Sequence, residues 1–320
     1  MRVLSGIQPS GRLHLGNYFG AIKQHIELQA KNECFYFIAD YHALTTVRKA
    51  DDLRKFSQEV AIDYLALGID PQKTVFFRQS DVPEVPELTW ILTNLMPLGL
   101  LERCHSYKDK IAHGVTPHLG VFAYPVLMAA DILIYKPDLV PVGKDQKQHI
   151  EVTRDLAIKF NTAYGELFKI PEPHILPQYA VIPGVDGQKM SKSYKNTIDI
   201  FCSEAELRKR VMSIKTDSTP VEQPKDHTKC SLFALYELFA TPDEKKRMED
   251  IYRKGGTGYG AVKEELFGKI RDYFKPYHER RNSILADPAY VATTLREGAG
   301  RARDAAGKTL REVKKAVGII

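Results

Sequence analysis

Residues 3–17 read Val-Leu-Ser-Gly-Ile-Gln-Pro-Ser-Gly-Arg-Leu-His-Leu-Gly-Asn, and the fold turns on this stretch. Residues 3–7 have the apolar character of a buried strand. Pro9-Ser10-Gly11 is turn chemistry, and a helix is predicted to begin near Gly16. Further on, residues 34–39 form a second apolar run rich in aromatics. A helix over 51–67 follows, closed by Gly68 with Pro71 just beyond, and residues 74–77 give a third strand. This β-α-β-α-β order implies a parallel sheet covered by helices on both faces, a Rossmann-like α/β fold.

Residues 83–135 break the alternation. They read as a helical insertion between two halves of the sheet. An amphipathic helix runs to about residue 96, a polar irregular segment spans 103–118, and an apolar helix spans 120–135. Residues 139–142 resume the sheet and 145–160 form the next helix. The proline-rich stretch 171–183 reads as irregular or edge structure leading to a loop. Beyond about residue 197 the strand signals stop, and helical periodicity continues through 204–214, 232–240, 244–253, 262–274 and the tail. The expectation is a Rossmann-like catalytic domain over 1–200, with its insertion at about 83–135, followed by an all-α domain over 201–320.

Two stretches carry chemistry. In an open parallel sheet, ligands bind at the carboxyl ends of the strands, where helix N-termini point positive. His14-Leu15-Gly16-Asn17 lies at such a place. His14 and Asn17, three apart, project from one side of the entering turn toward phosphate oxygens, and Gly16 lets a ring approach the backbone. The second stretch is Lys189-Met190-Ser191-Lys192-Ser193, preceded by Gly184 and Gly187. Two lysines three apart among small hydroxyls suit a triphosphate. Each stretch has a bland alternative, an ordinary strand–helix turn or a solvated lysine loop, and the two together outweigh it.

Other classes fall away. Hydrophobic residues at 43% and charged residues at 27% are ordinary for a globular enzyme, and no apolar run is long enough to span a bilayer. The first strand starts almost at Met1, so a cytoplasmic location is expected and no membrane partner. Cys34, Cys104, Cys202 and Cys230 are scattered without a CxxC pair, and no HExxH occurs, so no metal site is expected. Residues 302–309 nearly match a phosphate-binding P-loop but lack the leading glycine and a preceding strand. No GxGxxG follows a strand, and there is no GxSxG elbow. The net charge of +6, concentrated toward the C-terminus, favours polyphosphate partners without specifying one.

His14–Asn17 resembles the "HIGH" signature and Lys189–Ser193 the "KMSKS" signature of class I aminoacyl-tRNA synthetases. Over nearly the whole chain the sequence is similar to bacterial-type tryptophanyl-tRNA synthetases. The resemblance is carried by residues 5–11, Gly16-Asn17-Tyr18, Tyr124-Pro125, residues 127–133, residues 140–143 and residues 145–149. It implies activation of L-tryptophan by ATP, transfer to tRNA(Trp), Mg²⁺ shared among the phosphates, and a homodimer formed through the insertion. It places Gln8, Pro9, Ser10, Gly16 and Asn17 against ATP, with Gly143, Lys144 and Asp145 at the ribose or adenosine side and Ile182 near the adenine. Lys189 and Lys192, in the loop with Met190, Ser191 and Ser193, would hold the leaving pyrophosphate, and Lys110 would reach toward the phosphates. The helical C-terminal part would read the anticodon arm. This chain differs from the family's common pattern in carrying Leu4 for phenylalanine and Lys144 for an acidic residue.

An indole has one hydrogen-bond donor and no acceptor, so a selective pocket needs one acceptor among apolar walls. Asp131 lies mid-helix in the apolar run 126–134, where an unpaired carboxylate is costly. Met128 and Tyr124 share its helical face. A carboxylate paired to a buried Arg or Lys is the alternative for Asp131, and plain core packing is the alternative for Met128 and Tyr124. The resemblance adds Gly6, His42, Gln146, Val140 and Val142 to the pocket. Tyrosine is the competing substrate, though tyrosine-specific relatives tend to carry glutamine in place of Met128. A synthetase-like binding protein without catalysis and a nucleotidyltransferase are the other readings.

Overall fold

The computed structural model describes residues 1–104, 118–143, 146–174 and 182–320. Its sheet has five parallel strands: β1 (Arg2–Ile7), β2 (Glu33–Ile38), β3 (Thr74–Arg78), β4 (Leu139–Pro141) and β5 (Glu172–His174). Their spatial order is β3-β2-β1-β4-β5, so the stretch that opens the chain supplies the central strand. β1 pairs with β2 from Arg2↔Glu33 to Ile7↔Ile38. Parallel strands covered on both faces read as continuous apolar runs, and β2 is buried throughout after Glu33.

The helix after β1 is α1, residues 15–28. Its middle, Tyr18–Ile22, is π-helical between α-helical Leu15–Asn17 and Lys23–Leu28. Such bulges concentrate at functional sites, and this one directly follows Asn17. Helix α2 (Asp40–Ala43) follows β2. Helix α3 (Ala50–Leu67) then ends at Gly68, whose φ of 115° is the left-handed stop foreseen from sequence. The insertion holds α4 (Glu84–Thr93), α5 (Leu98–Glu102) and α6 (Leu119–Leu133), while most of the expected irregular segment lies outside the described residues. Helix α7 (Lys147–Tyr164) joins β4 to β5, which forms inside the proline-rich stretch.

Contacts divide the chain into two compact units. One comprises Met1–Gly11, Gln24–Pro177 and Ile284–Ile320, and the other Arg12–Lys23 and Gln178–Ser283. The expected domains were 1–200 and 201–320, and these contact units run differently along the chain. The second unit takes in the first signature and holds α8 (Glu204–Met212), α9 (Ser231–Tyr236), α10 (Pro242–Lys254) and most of α11 (Tyr259–Leu285). The last helix, α12 (Pro288–Ala316), belongs instead to the sheet unit.

The reason is steric and polar. β3 is an edge strand, and an edge leaves unpaired carbonyls. Arg301 of α12 donates to the carbonyls of Thr74 at 2.9 Å and Pro71 at 2.7 Å. A Cβ at Gly298 would stand 1.8 Å from the Phe76 carbonyl oxygen, so only glycine permits this approach. Ala302 and Ala306 are fully buried on the same helix, and Lys314 pairs with Glu87 of α4 at 2.7 Å. Trp90, expected in the core or at an interface, is 71% exposed on α4, which removes the core reading. Among the described residues, no helix is long and apolar enough to cross a membrane.

Candidate functional site

In the sheet unit, Asp131 sits on α6 with 2% of its surface exposed. The helix buries it because its neighbours Ala129, Ala130, Ile132 and Leu133 all face the core. Gln79, at the carboxyl end of β3 and equally buried, donates its Nε2–H to both Asp131 oxygens at 2.8 Å. His42 Nε2 lies 2.8 Å from Asp131 Oδ2. Gln79 is itself oriented, because its Oε1 accepts the Tyr41 N–H at 3.1 Å. Burial pushes the Asp131 carboxyl above the usual range, and the contacts from His42 and Gln79 oppose that shift. The partners of Asp131 are therefore a histidine and an amide rather than the Arg or Lys of the alternative reading.

Tyr124, Met128 and Asp131 share one face of α6, with Tyr124 and Met128 half-buried above the carboxylate. The Tyr124 hydroxyl lies 2.6 Å from His149 Nε2, and its ring stands edge-on to His42 with centroids 6.1 Å apart. Gln8 donates to Thr46 Oγ1 at 3.2 Å and to the His42 carbonyl at 3.4 Å, which ties the first strand's end to α2. A Cβ at Gly6 would come 2.6 Å from the Phe37 ring, so packing within the sheet already requires that glycine. Val140 is buried, Val142 is half-buried, and the Gly143 carbonyl accepts the Gln146 N–H at 3.0 Å. Pro9 is buried and Ser10 exposed at the turn. Lys110, Lys144 and Asp145 lie outside the described residues.

The second unit brings both signatures together across more than 170 residues of chain. Leu15 N–H donates to the Ile198 carbonyl at 3.0 Å, and Ile200 N–H to the Leu13 carbonyl at 3.0 Å, around the antiparallel bridge His14↔Asp199. Gly16 N–H points at Met190 Sδ, 3.4 Å away. A Cβ at Gly16 would lie 3.0 Å from the His14 ring and 3.4 Å from Met190 Cβ, so this glycine is the contact point of the two signatures. Asn17 Oδ1 accepts the His14 N–H at 3.1 Å. Burial first and the Lys192 charge second push the His14 imidazole down to about 4, so it is neutral at physiological pH.

The lysines sit on a hairpin. Met190 N–H donates to the carbonyl of buried Ile182 at 2.8 Å, and Gly184 N–H to that of Gln188 at 2.7 Å. Ser191 Oγ accepts the Ser193 N–H at 3.3 Å, which caps the short 3₁₀ turn Lys192–Tyr194. Lys189 is exposed and Lys192 half-buried, with Met190 beneath them. A separate cleft of about 490 Å³ in this unit mixes charges of both signs from Arg12, Glu206 and Arg210 and contains none of the expected site residues.

Two residues were missed from sequence. Gln79 had a usable signal, its place at the carboxyl end of a parallel strand. Asn196, buried beneath the lysine hairpin, had only its position in a polar loop.

A family model described as "tRNA synthetases class I (W and Y)" matches residues 1–275. The tryptophan–tRNA ligase of Fusobacterium nucleatum is 52% identical over all of this chain and 98% of its own length. That of Rhodopirellula baltica is 53% identical over the full length of both. The crystal structure of tryptophanyl-tRNA synthetase from Campylobacter jejuni, solved with ADP and tryptophan, superposes with a TM-score of 0.93. It is 50% identical and covers 99% of this chain and all of its own.

Proposed function

We infer that this chain, which belongs to the class I tRNA synthetases of the tryptophan and tyrosine branch, activates L-tryptophan with ATP and transfers it to tRNA(Trp). The tryptophan carboxylate forms a new bond to the α-phosphorus, the bond to the bridging oxygen of the β-phosphate breaks, and diphosphate leaves. The adenylate then gives its acyl group to a ribose hydroxyl of the tRNA, and AMP is released. The attacking carboxylate is already ionised at neutral pH, so alignment and charge stabilisation carry the first step without a general base.

The observation that carries the tryptophan assignment is the Asp131 cluster. A carboxylate offers about four lone-pair directions. Gln79 and His42 use three contacts on it, leaving room on Oδ1 for one N–H donor. Met128 and the Tyr124 ring supply apolar wall beside it. A phenol oxygen also asks for a donor, and the Asp131 carboxylate, an acceptor only, does not supply one.

His14, Asn17 and the backbone at Gly16 receive the phosphates, and Lys189 and Lys192 hold the charge that builds on the leaving diphosphate. Ile182 packs at the adenine, and Gln146 meets the amino or carboxylate end of tryptophan. Mg²⁺ would accompany the triphosphate and add positive charge as the diphosphate leaves. Among the described residues, no group of three His, Cys, Asp or Glu side chains is placed to hold a metal ion. The helical part over 201–320 takes the anticodon arm, and the protein works in the cytoplasm. A homodimer through the insertion is supported by Trp90, Leu98 and Leu119, large apolar side chains exposed on its helices.

The test is ATP–diphosphate exchange with each amino acid, followed by charging of tRNA. Tryptophan-dependent exchange and charging are expected. Exchange that runs with tyrosine and not with tryptophan would overturn the assignment.

A further inference from the structure

The lysine hairpin is held in place by a residue that carries no charge. Asn196 is 1% exposed. Its Nδ2 donates to Asp186 Oδ1 at 2.8 Å and to the Lys189 carbonyl at 3.1 Å, while its Oδ1 accepts the Ser191 N–H at 2.8 Å. Its backbone carbonyl accepts the Val185 N–H at 3.0 Å. The amide thus ties the hairpin turn to the backbone on both sides of Met190. The fit is close, because a Cβ at Gly184 would stand 2.4 Å from the Asn196 amide. Asp186 is oriented in turn, accepting the Gln188 N–H at 3.0 Å. None of these bonds engages a lysine ammonium group.

We propose that Asn196 is a positioning residue for activation. Its buried amide clasps the 184–188 turn to the backbone of Lys189 and Ser191, and so sets where the Lys189 and Lys192 ammonium groups meet the leaving diphosphate. The proposal rests on the ATP-dependent activation stated above. Its logic is preorganisation: a charge counts toward a transition state only when it is already in place, and a displacement of the order of 1 Å costs about 10²-fold.

Single-turnover measurements on the full chain separate the steps. Asn196→Ala is expected to slow adenylate formation at saturating ATP about 10–100-fold. Tryptophan binding by calorimetry, and transfer from preformed adenylate to tRNA, should stay at wild-type values. Asn196→Asp keeps the size and the acceptor for Ser191. It loses both donors and sets a second carboxylate against Asp186, so it should be at least as slow. The double variant Asp186→Asn with Asn196→Asp restores the bond with its direction reversed, and should recover part of the rate. Adenylate formation at wild-type rate in Asn196→Ala overturns the proposal, as does parallel loss of activation, tryptophan binding and transfer. Where Asn196→Ala fails to fold, the near-isosteric variants decide, and a double variant no faster than Asn196→Asp overturns it. Absence of tryptophan-dependent adenylate formation in the unaltered chain overturns the functional reading as well, which the variants alone cannot do.

Discussion

The two units treat charge in opposite ways. In the sheet unit, Asp131 is a buried carboxylate whose charge is met by side chains, the amide of Gln79 and the ring of His42. In the second unit, Lys189 and Lys192 carry the charge nearer the surface, and it is the backbone beneath them that is fixed. The first arrangement suits discrimination, since a buried acceptor that loses its partner is penalised by about 1–3 kcal/mol. The second suits catalysis, since charge that arrives already oriented stabilises a transition state without reorganisation.

The sharpest way to break this contrast is Lys192→Ala. Adenylate formation should fall by about 10²–10³-fold with tryptophan affinity unchanged. Stopped-flow traces at near wild-type rate would remove Lys192 from the reaction. Next in size, Asp131→Asn should lower kcat/KM for tryptophan in exchange by about 10–100-fold, the value of one charge-assisted hydrogen bond. It should also narrow the preference over tyrosine, and an unchanged preference would show that selectivity lies elsewhere.

The pH dependence of stability compares the units directly. His14, pushed down to about 4 from an ordinary 6.5, binds fewer protons folded than unfolded between those values. Stability is therefore fully present above pH 6.5 and declines as pH falls toward 4, by up to about 3 kcal/mol at 1.36 kcal/mol per pH unit. His25 in the sheet unit, fully buried and pushed to about 3, acts with the same sign. Thermal melts of His14→Gln at pH 7 and pH 5 should show a smaller loss than the unaltered chain, and an equal loss would place the acid sensitivity elsewhere. Smallest of all, Thr241→Ala removes the α10 cap that Thr241 and Glu244 form reciprocally. It should cost about 1 kcal/mol of stability by chemical denaturation. Adenylate formation should not change, and if it does, the helices of the second unit are coupled to its lysine loop.

How much of this was legible beforehand differs by level. The strands at residues 3–7, 34–39 and 74–77 showed themselves as apolar runs bounded by turn residues, because burial on both faces writes itself into composition. Asp131 was legible because a carboxylate inside an apolar helix is an anomaly that needs a reason. Gln79 had only its place at the end of a strand to mark it, and Asn196 only a polar loop, since a neutral amide resembles any solvated residue until its partners are seen. The home of α12 was equally hidden. Its amphipathic face shows that the helix packs on something, and only the approach of Gly298 to Phe76 and of Arg301 to Thr74 shows that the partner is β3.

That attachment bears on how the chain is made. The ribosome delivers all five strands before it delivers residues 288–316, so during synthesis the edge of β3 waits uncovered, with its outward carbonyls available to any neighbouring chain. A nascent sheet in that state is a template for pairing between copies, and the final helix closes it. Chains that stall or are clipped before Pro288 should therefore be lost first to aggregation, well before any question of whether their reaction centre is complete.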